Sequence, residues 1–225
     1  MPPSDGSSAS GPTTSRTTRR RYHHGDLANA LVDAATALAR DGGPDSVVLR
    51  EVARGVGVSP TAAYRHFADQ RALLAAVREQ CQSALALAMR VELDALAPDD
   101  DLRRAARARL AAVGRGYLAF AFTQPGLFRT AFSPAGVVPP PSAPAPDDEA
   151  AVAAAGPYEL LSMALDGLVA QHDLPPARRP LAEIAAWAAV HGLAQLVLDG
   201  PLASLTDDER AAAVERTLSM VLRGL

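Results

Sequence analysis

The 225-residue sequence predicts an all-α fold of about nine helices, with an N-terminal three-helix unit followed by a larger helical domain. Three observations support this. Apolar residues recur at i, i+3 and i+4 in every long segment, which is the period of a helix with one buried face. Clusters of Gly, Pro and Asp separate those segments. Between Val47 and Phe67, VVLREVARGVGVSPTAAYRHF, two short helical patterns flank a glycine, as in a helix-turn-helix.

The first twenty residues are rich in Ser, Thr, Pro and Gly and close with Arg16, Arg19, Arg20 and Arg21. Such a segment buries too little apolar surface to fold alone, so residues 1–21 are expected to form a basic arm. The first helix is expected from about Gly25 or Asp26, with Leu27, Leu31, Ala35 and Leu38 on one stripe and Asp41-Gly42-Gly43 at its end.

In the next segment Val48, Val52, Ala53 and Val56 form the apolar stripe, with Arg50, Glu51 and Arg54 on the other faces. Gly57 can take a positive φ and redirect the chain without a Cβ clash. Ser59 suits an N-cap, and Pro60 suits the first helical position, where its missing N–H costs nothing. The helix it opens is expected to reach about Phe67, with Asp69 capping the one after. Ala63 and Phe67, four apart, face the core. That leaves Thr61, Ala62, Tyr64, Arg65 and His66 to be divided between base edges and phosphates, as on a recognition helix entering the major groove.

A long helix follows from Asp69 to about Ala97, with Leu73, Val77, Cys81, Leu85, Met89 and Leu93 in i, i+4 order until Pro98 stops it. Asp99 to Asp101 supply negative charge where the next helix begins. That helix passes through Leu110, Val113, Tyr117, Leu118 and Phe122, and a short one, Leu127 to Phe132, comes after Gln124-Pro125-Gly126. Residues 133–148 are Pro-rich and expected to be a flexible loop. Helical periodicity returns over Pro157–His172, over Arg178–Leu198 through Leu181, Ile184, Trp187 and His191, and over Asp207–Leu222. The expected division is an arm at 1–21, a helix-turn-helix domain at 22–68 and a helical ligand-binding and dimerisation domain at 69–225.

The net charge of −3 is ill-suited to a polyanionic partner until it is divided along the chain. Up to Arg71 there are nine arginines against seven acids; beyond it, thirteen against eighteen. The asymmetry points DNA binding to the N-terminal end, where the arm can neutralise phosphates or enter the minor groove. Every basic residue is arginine, whose planar guanidinium can make bidentate contacts. A single cysteine, no apolar run of about 18 residues and no signal-peptide pattern lead to the expectation of a cytoplasmic protein without membrane contact. The adjacent His23 and His24 lack a third ligand at helical spacing, so neither metal nor cofactor is expected.

YHHGDL (Tyr22 to Leu27), LREVARGVGVSPTAAYRHF (Leu49 to Phe67) and ALLAAV (Ala72 to Val77) closely resemble the N-terminal domain of TetR-type transcriptional regulators. The resemblance implies that Arg50 reaches a guanine or phosphate, that Thr61, Ala62 and Arg65 read bases, and that Tyr64 and His66 clamp phosphates, beside Ser59. Two positions depart from the common pattern. Val48 stands where a threonine often caps the helix, and Gln70 where a lysine often meets the backbone. WAAVHG (Trp187 to Gly192) resembles the tryptophan and histidine-glycine signature of one C-terminal subclass.

The C-terminal helices carry Met89, Tyr117, Phe122, Phe128, Phe132, Tyr158, Met163, Trp187 and His191, which can enclose an apolar small-molecule site or serve as ordinary core. The last two helices expose more apolar surface than one core face needs, through Leu193, Leu196, Val197, Val214, Leu218, Val221 and Leu222, which predicts a homodimer through them. The expected function is therefore a sequence-specific regulator, a repressor of a palindromic double-stranded operator released by a small-molecule inducer. The rivals are a small helical enzyme using Cys81 or His191, and a helical interaction module without DNA binding.

Overall fold

The computed structural model describes residues 24–134 and 154–225; the arginines Arg19, Arg20 and Arg21 and residues 135–148 of the Pro-rich segment lie outside them. The described residues form nine α-helices and two 3-10 turns, with no strand. In chain order the helices are α1 His24–Gly42, α2 Leu49–Val56, α3 Pro60–Tyr64, α4 Gln70–Asp94 and α5 Leu102–Thr123. Then come α6 Pro125–Ala131, α7 Pro157–Ala170, α8 Ala182–Leu198 and α9 Asp207–Gly224.

Helix starts are set locally. Asp69 caps α4 by accepting from the Ala72 N–H at 2.8 Å, and Asp101 caps α5 by accepting from Arg103 and Arg104 at 3.1 and 3.0 Å. Thr206 and Glu209 form a reciprocal capping box on α9. Several boundaries differ from expectation: α4 ends at Asp94 rather than about Ala97, and α6 spans Pro125–Ala131 rather than Leu127 to Phe132. The last turn of α3 tightens, because the Arg65 and His66 N–H groups bond carbonyls three residues back, so the regular helix stops at Tyr64 rather than Phe67. The segment from Arg178 begins as a 3-10 turn, Pro176–Arg178, and α8 proper starts only at Ala182.

Some apolar residues lie off their expected stripes. On α1 the buried line is Leu31, Ala35 and Ala39, while Leu38 is 39% exposed. Val48 is the exposed N-cap of α2, and Leu49 takes its place in the core beside Val52 and Ala53. Leu181 and Ile184 point outward, because α8 turns Ala182, Ala186, Val190, Leu193 and Val197 inward instead. Leu193, Val197 and Leu218, counted above as surplus, are buried within the single chain.

The buried apolar side chains form one continuous cluster from α1 to α9, with α4 at its centre through Leu73, Val77, Cys81, Leu85 and Met89. Helix α6 joins the two ends of the molecule. A Cβ on Gly126 would stand 2.3 Å from the carbonyl oxygens of both Ala39 and Arg40, so only glycine lets α6 sit directly on the end of α1. Arg40 donates to the Gln124 side-chain oxygen at 2.7 Å, Gln82 of α4 donates to the Ala131 carbonyl at 2.7 Å, and Arg129 holds Asp199 after α8 at 2.7 and 2.9 Å.

Candidate nucleic-acid interface and internal cavity

Helix α2 ends at Gly57, whose φ of 77° is left-handed and whose N–H bonds the Arg54 carbonyl, while the Val58 N–H reaches back to Ala53 at 2.9 Å. This pair of bonds is a Schellman closure, which turns the chain sharply into α3. Ser59 then accepts from the Ala62 N–H at 3.2 Å, with Pro60 at the first helical position. The cap occupies the Ser59 oxygen while its O–H can still donate.

Ala63 is fully buried and Phe67 packs against the core, which seats α3 by one side. Thr61, Tyr64 and Arg65, at i, i+3 and i+4, therefore stand exposed on the other side. Arg50 in the first turn of α2 and Gln70 at the start of α4 are exposed too; Ala62 and His66 are half-buried. Arg54 is drawn to Glu51 in an exposed ion pair. Among the described residues, no hydrogen bond or ion pair engages the side chains of Arg50, Thr61, Tyr64, Arg65 or Gln70.

The second site is a partly open cavity of about 90 Å³ lined by residues of α4, α5, α7, α8 and α9. Five of the nine expected ligand residues line it: Met89, Tyr117, Phe132, Tyr158 and Trp187. Phe122, Phe128, Met163 and His191 do not. Phe128 and His191 lie behind the wall, where Phe128 packs edge-on to Tyr117 at 5.5 Å between ring centroids and His191 packs against Phe132 at 4.9 Å. Phe122 instead lies under the Arg210 guanidinium. The rest of the wall, including Gln82, Leu110, Val190, Leu218, Val221 and Leu222, has no residue-type signature that would single it out in a sequence.

A hydrogen-bonded chain runs along the wall. Trp187 Nε1 donates to the Tyr117 hydroxyl at 3.0 Å, and that oxygen lies 2.7 Å from His191 Nδ1. Burial pushes the Tyr117 hydroxyl well above the usual phenol range and holds the His191 imidazole below its ordinary value. Both groups are therefore neutral near pH 7. Burial also pushes the Cys81 thiol up to about 11, which suits a core side chain rather than a nucleophile. No helix among the described residues is long and apolar enough to cross a membrane.

Residues 31–77 match the family model of bacterial regulatory proteins of the tetR family, and residues 110–221 match the tetracyclin repressor-like C-terminal domain. The chain belongs to the TetR family of transcriptional regulators. Regulators of this family bind DNA operators and small-molecule ligands, are dimeric, and are generally not enzymes. The TetR fold recurs in a solved structure of unknown function from Rhodococcus sp. RHA1, with a TM-score of 0.68 and 27% identity over 92% of this chain and 99% of that one. RolR, solved with resorcinol, aligns with a TM-score of 0.51 and 17% identity over 88% of each chain. A variant of TetR from Acinetobacter baumannii AYE, solved with minocycline, aligns with a TM-score of 0.54 and 22% identity over 91% and 96%. No curated protein matches the sequence.

Proposed function

We infer that this TetR-family regulator acts as a homodimeric repressor whose grip on a palindromic operator is released when a small molecule enters the cavity. The observation that carries the reading is α3: a short helix anchored by Ala63 and Phe67 that holds the side chains of Thr61, Tyr64 and Arg65 outward with no hydrogen-bond partner among the described residues. In this reading Arg65 and Arg50 read guanines or phosphates, Thr61 and Ala62 lie against bases, and Tyr64, His66, Ser59 and Gln70 meet the backbone. Arg19, Arg20 and Arg21 add salt-sensitive phosphate contacts.

Two copies pair through the outer faces of α8 and α9, where Ile184, Leu196 and Met220 remain exposed. Pairing sets the two α3 helices about 34 to 36 Å apart, one helical turn of DNA. The route from cavity to DNA runs through α6. Its C-terminal neighbour Phe132 lines the cavity, and its Gly126 sits on α1. A ligand that displaces Phe132 thereby tilts the helix-turn-helix and spoils the spacing.

The test is a gel shift with DNA from upstream of the chain's own gene at two salt concentrations. Salt-sensitive binding by the wild type, weakened with relaxed base preference in Arg65→Ala and Arg50→Ala, supports the reading. Unchanged curves for both variants overturn it.

A further inference from the structure

The outer face of α8 carries no charge. Of the 17 residues in this helix, Ile184, Ala185, Ala188 and Leu196 are exposed, and all four are apolar. Glu183, its one carboxylate, is buried and paired with Arg179 at 2.6 Å. Every other long helix exposes charge: Arg40 on α1, Glu79 on α4, Arg107 on α5, Asp166 on α7 and Glu215 on α9. Leu181, just before α8, extends the apolar face at 69% exposure. A helix that met only water on that side would carry polar residues there.

Gly192 lies on that face, with exposed Ala188 one turn before it and exposed Leu196 one turn after. Glycine inside a helix is disfavoured relative to alanine, so its presence calls for a steric reason. Gly114 and Gly116 of α5 have one within the chain: a Cβ would stand 2.3 Å from the Leu218 side chain and 2.5 Å from the Met89 backbone, respectively. A Cβ on Gly192 would meet nothing within 4 Å among the described residues. Gly55 and Gly167 share that open space, but Gly55 has Glu51 one turn before it and Gly167 has Gln171 one turn after, so neither lies on an apolar face. Open space and exposed apolar neighbours on both sides coincide at Gly192.

We propose, resting on the homodimeric reading above, that α8 packs against α8 of a second copy and that the two backbones cross at Gly192, with Leu181, Ile184 and Leu196 supplying the larger apolar contacts. A second copy is the occupant that the charge pattern fits. A two-fold axis sets the same patch against itself, so a charge close to the axis faces its like. The uncharged face of α8 avoids that repulsion, whereas α9, with Asp208, Glu215 and Arg216 exposed, suits the polar rim of the contact. Packed helices keep their axes about 8 to 10 Å apart according to the side chains between them, and glycine at the crossing permits the lower end. The backbone cost of Gly192 within one chain is thereby offset by contact between two.

The test measures self-association of the full chain by sedimentation equilibrium. Gly192→Ala should raise the dimer dissociation constant about tenfold, the effect of overpacking one close contact, even though alanine favours the helix itself. Gly167→Ala gains the same helix preference and should leave association unchanged. Gly192→Leu should sediment as a monomer where the wild type is a dimer, with its helical circular dichroism retained. Treated with diamide, Gly192→Cys should give a covalent dimer and Gly167→Cys should not, the native Cys81 being buried. Unchanged or tighter association of Gly192→Ala, equal weakening by Gly167→Ala, or no preferential linking at Gly192 overturns the proposal, and the alanine and cysteine variants decide it even if Gly192→Leu misfolds. Those outcomes in a wild type that is still dimeric leave the homodimeric reading standing and refute only the α8 crossing. A wild type that stays monomeric at the concentrations where it binds duplex DNA refutes both.

Discussion

The outer side of α3 and the aromatic wall behind the cavity handle polar groups in opposite ways. On α3, Thr61, Tyr64 and Arg65 are exposed, and their side chains make no hydrogen bond among the described residues. Behind the cavity, Trp187, Tyr117 and His191 are tied to one another, and no buried side-chain nitrogen or oxygen among the described residues lacks a partner. Water solvates the first set at little cost until a partner replaces it. An unpaired member of the second set would cost about 1 to 3 kcal/mol, so its bonds must be made on folding. The exposed side chains can thus take an outside partner without breaking bonds of the fold, whereas the buried ones cannot.

This contrast separates binding from stability. The largest effect should come from Phe128→Ala, which empties a fully buried site beside Tyr117 and Phe132 and should cost about 3 to 5 kcal/mol in denaturant unfolding. A loss below about 1 kcal/mol would show that the wall repacks freely. Arg65→Ala should do the converse. It should weaken operator binding by about 1 to 3 kcal/mol while moving the unfolding midpoint by no more than an ordinary surface change, within about 0.5 kcal/mol.

Ser59→Ala falls between the two regions. The loss of its bond to the Ala62 N–H should cost about 1 kcal/mol of stability, and DNA affinity should fall with it because α3 frays. Stability and affinity measured on the same variant check whether they move together. The smallest expected effect concerns pH. Burial keeps the His191 proton affinity low in the folded chain, so below about pH 6.5 the unfolded chain binds the extra proton. Stability is then full above that pH and is lost as pH falls. Thermal melts at about pH 7 and about pH 5 should show a larger drop for the wild type than for His191→Leu.

The exposed side of α3 was legible because so short a helix has few options. Once Ala63 and Phe67 are assigned inward, the period of 3.6 places Thr61, Tyr64 and Arg65 outward. The cavity was legible only in part. Phe128 and Phe132 sit four apart on and beside one short helix, yet one is behind the wall and the other on it. Spacing cannot separate them, since both face the core and only the position of α8 decides which meets the void. Val221 and Leu222 read as surplus apolar surface for a partner copy, whereas both line the cavity of their own chain.

Sequence alone determined the helical class, the glycine turn into α3, the capping of α3 by Ser59 and of α4 by Asp69, and the family likeness. These depend on side chains a few residues apart, where backbone geometry leaves one solution. Only the tertiary structure decided that Leu38, Leu181 and Ile184 face outward, that Gly126 seats α6 on α1, and that Trp187, Tyr117 and His191 meet in one hydrogen-bonded chain. Each of those depends on residues far apart in the chain, and close packing between distant helices sets them only once all the partners are in place.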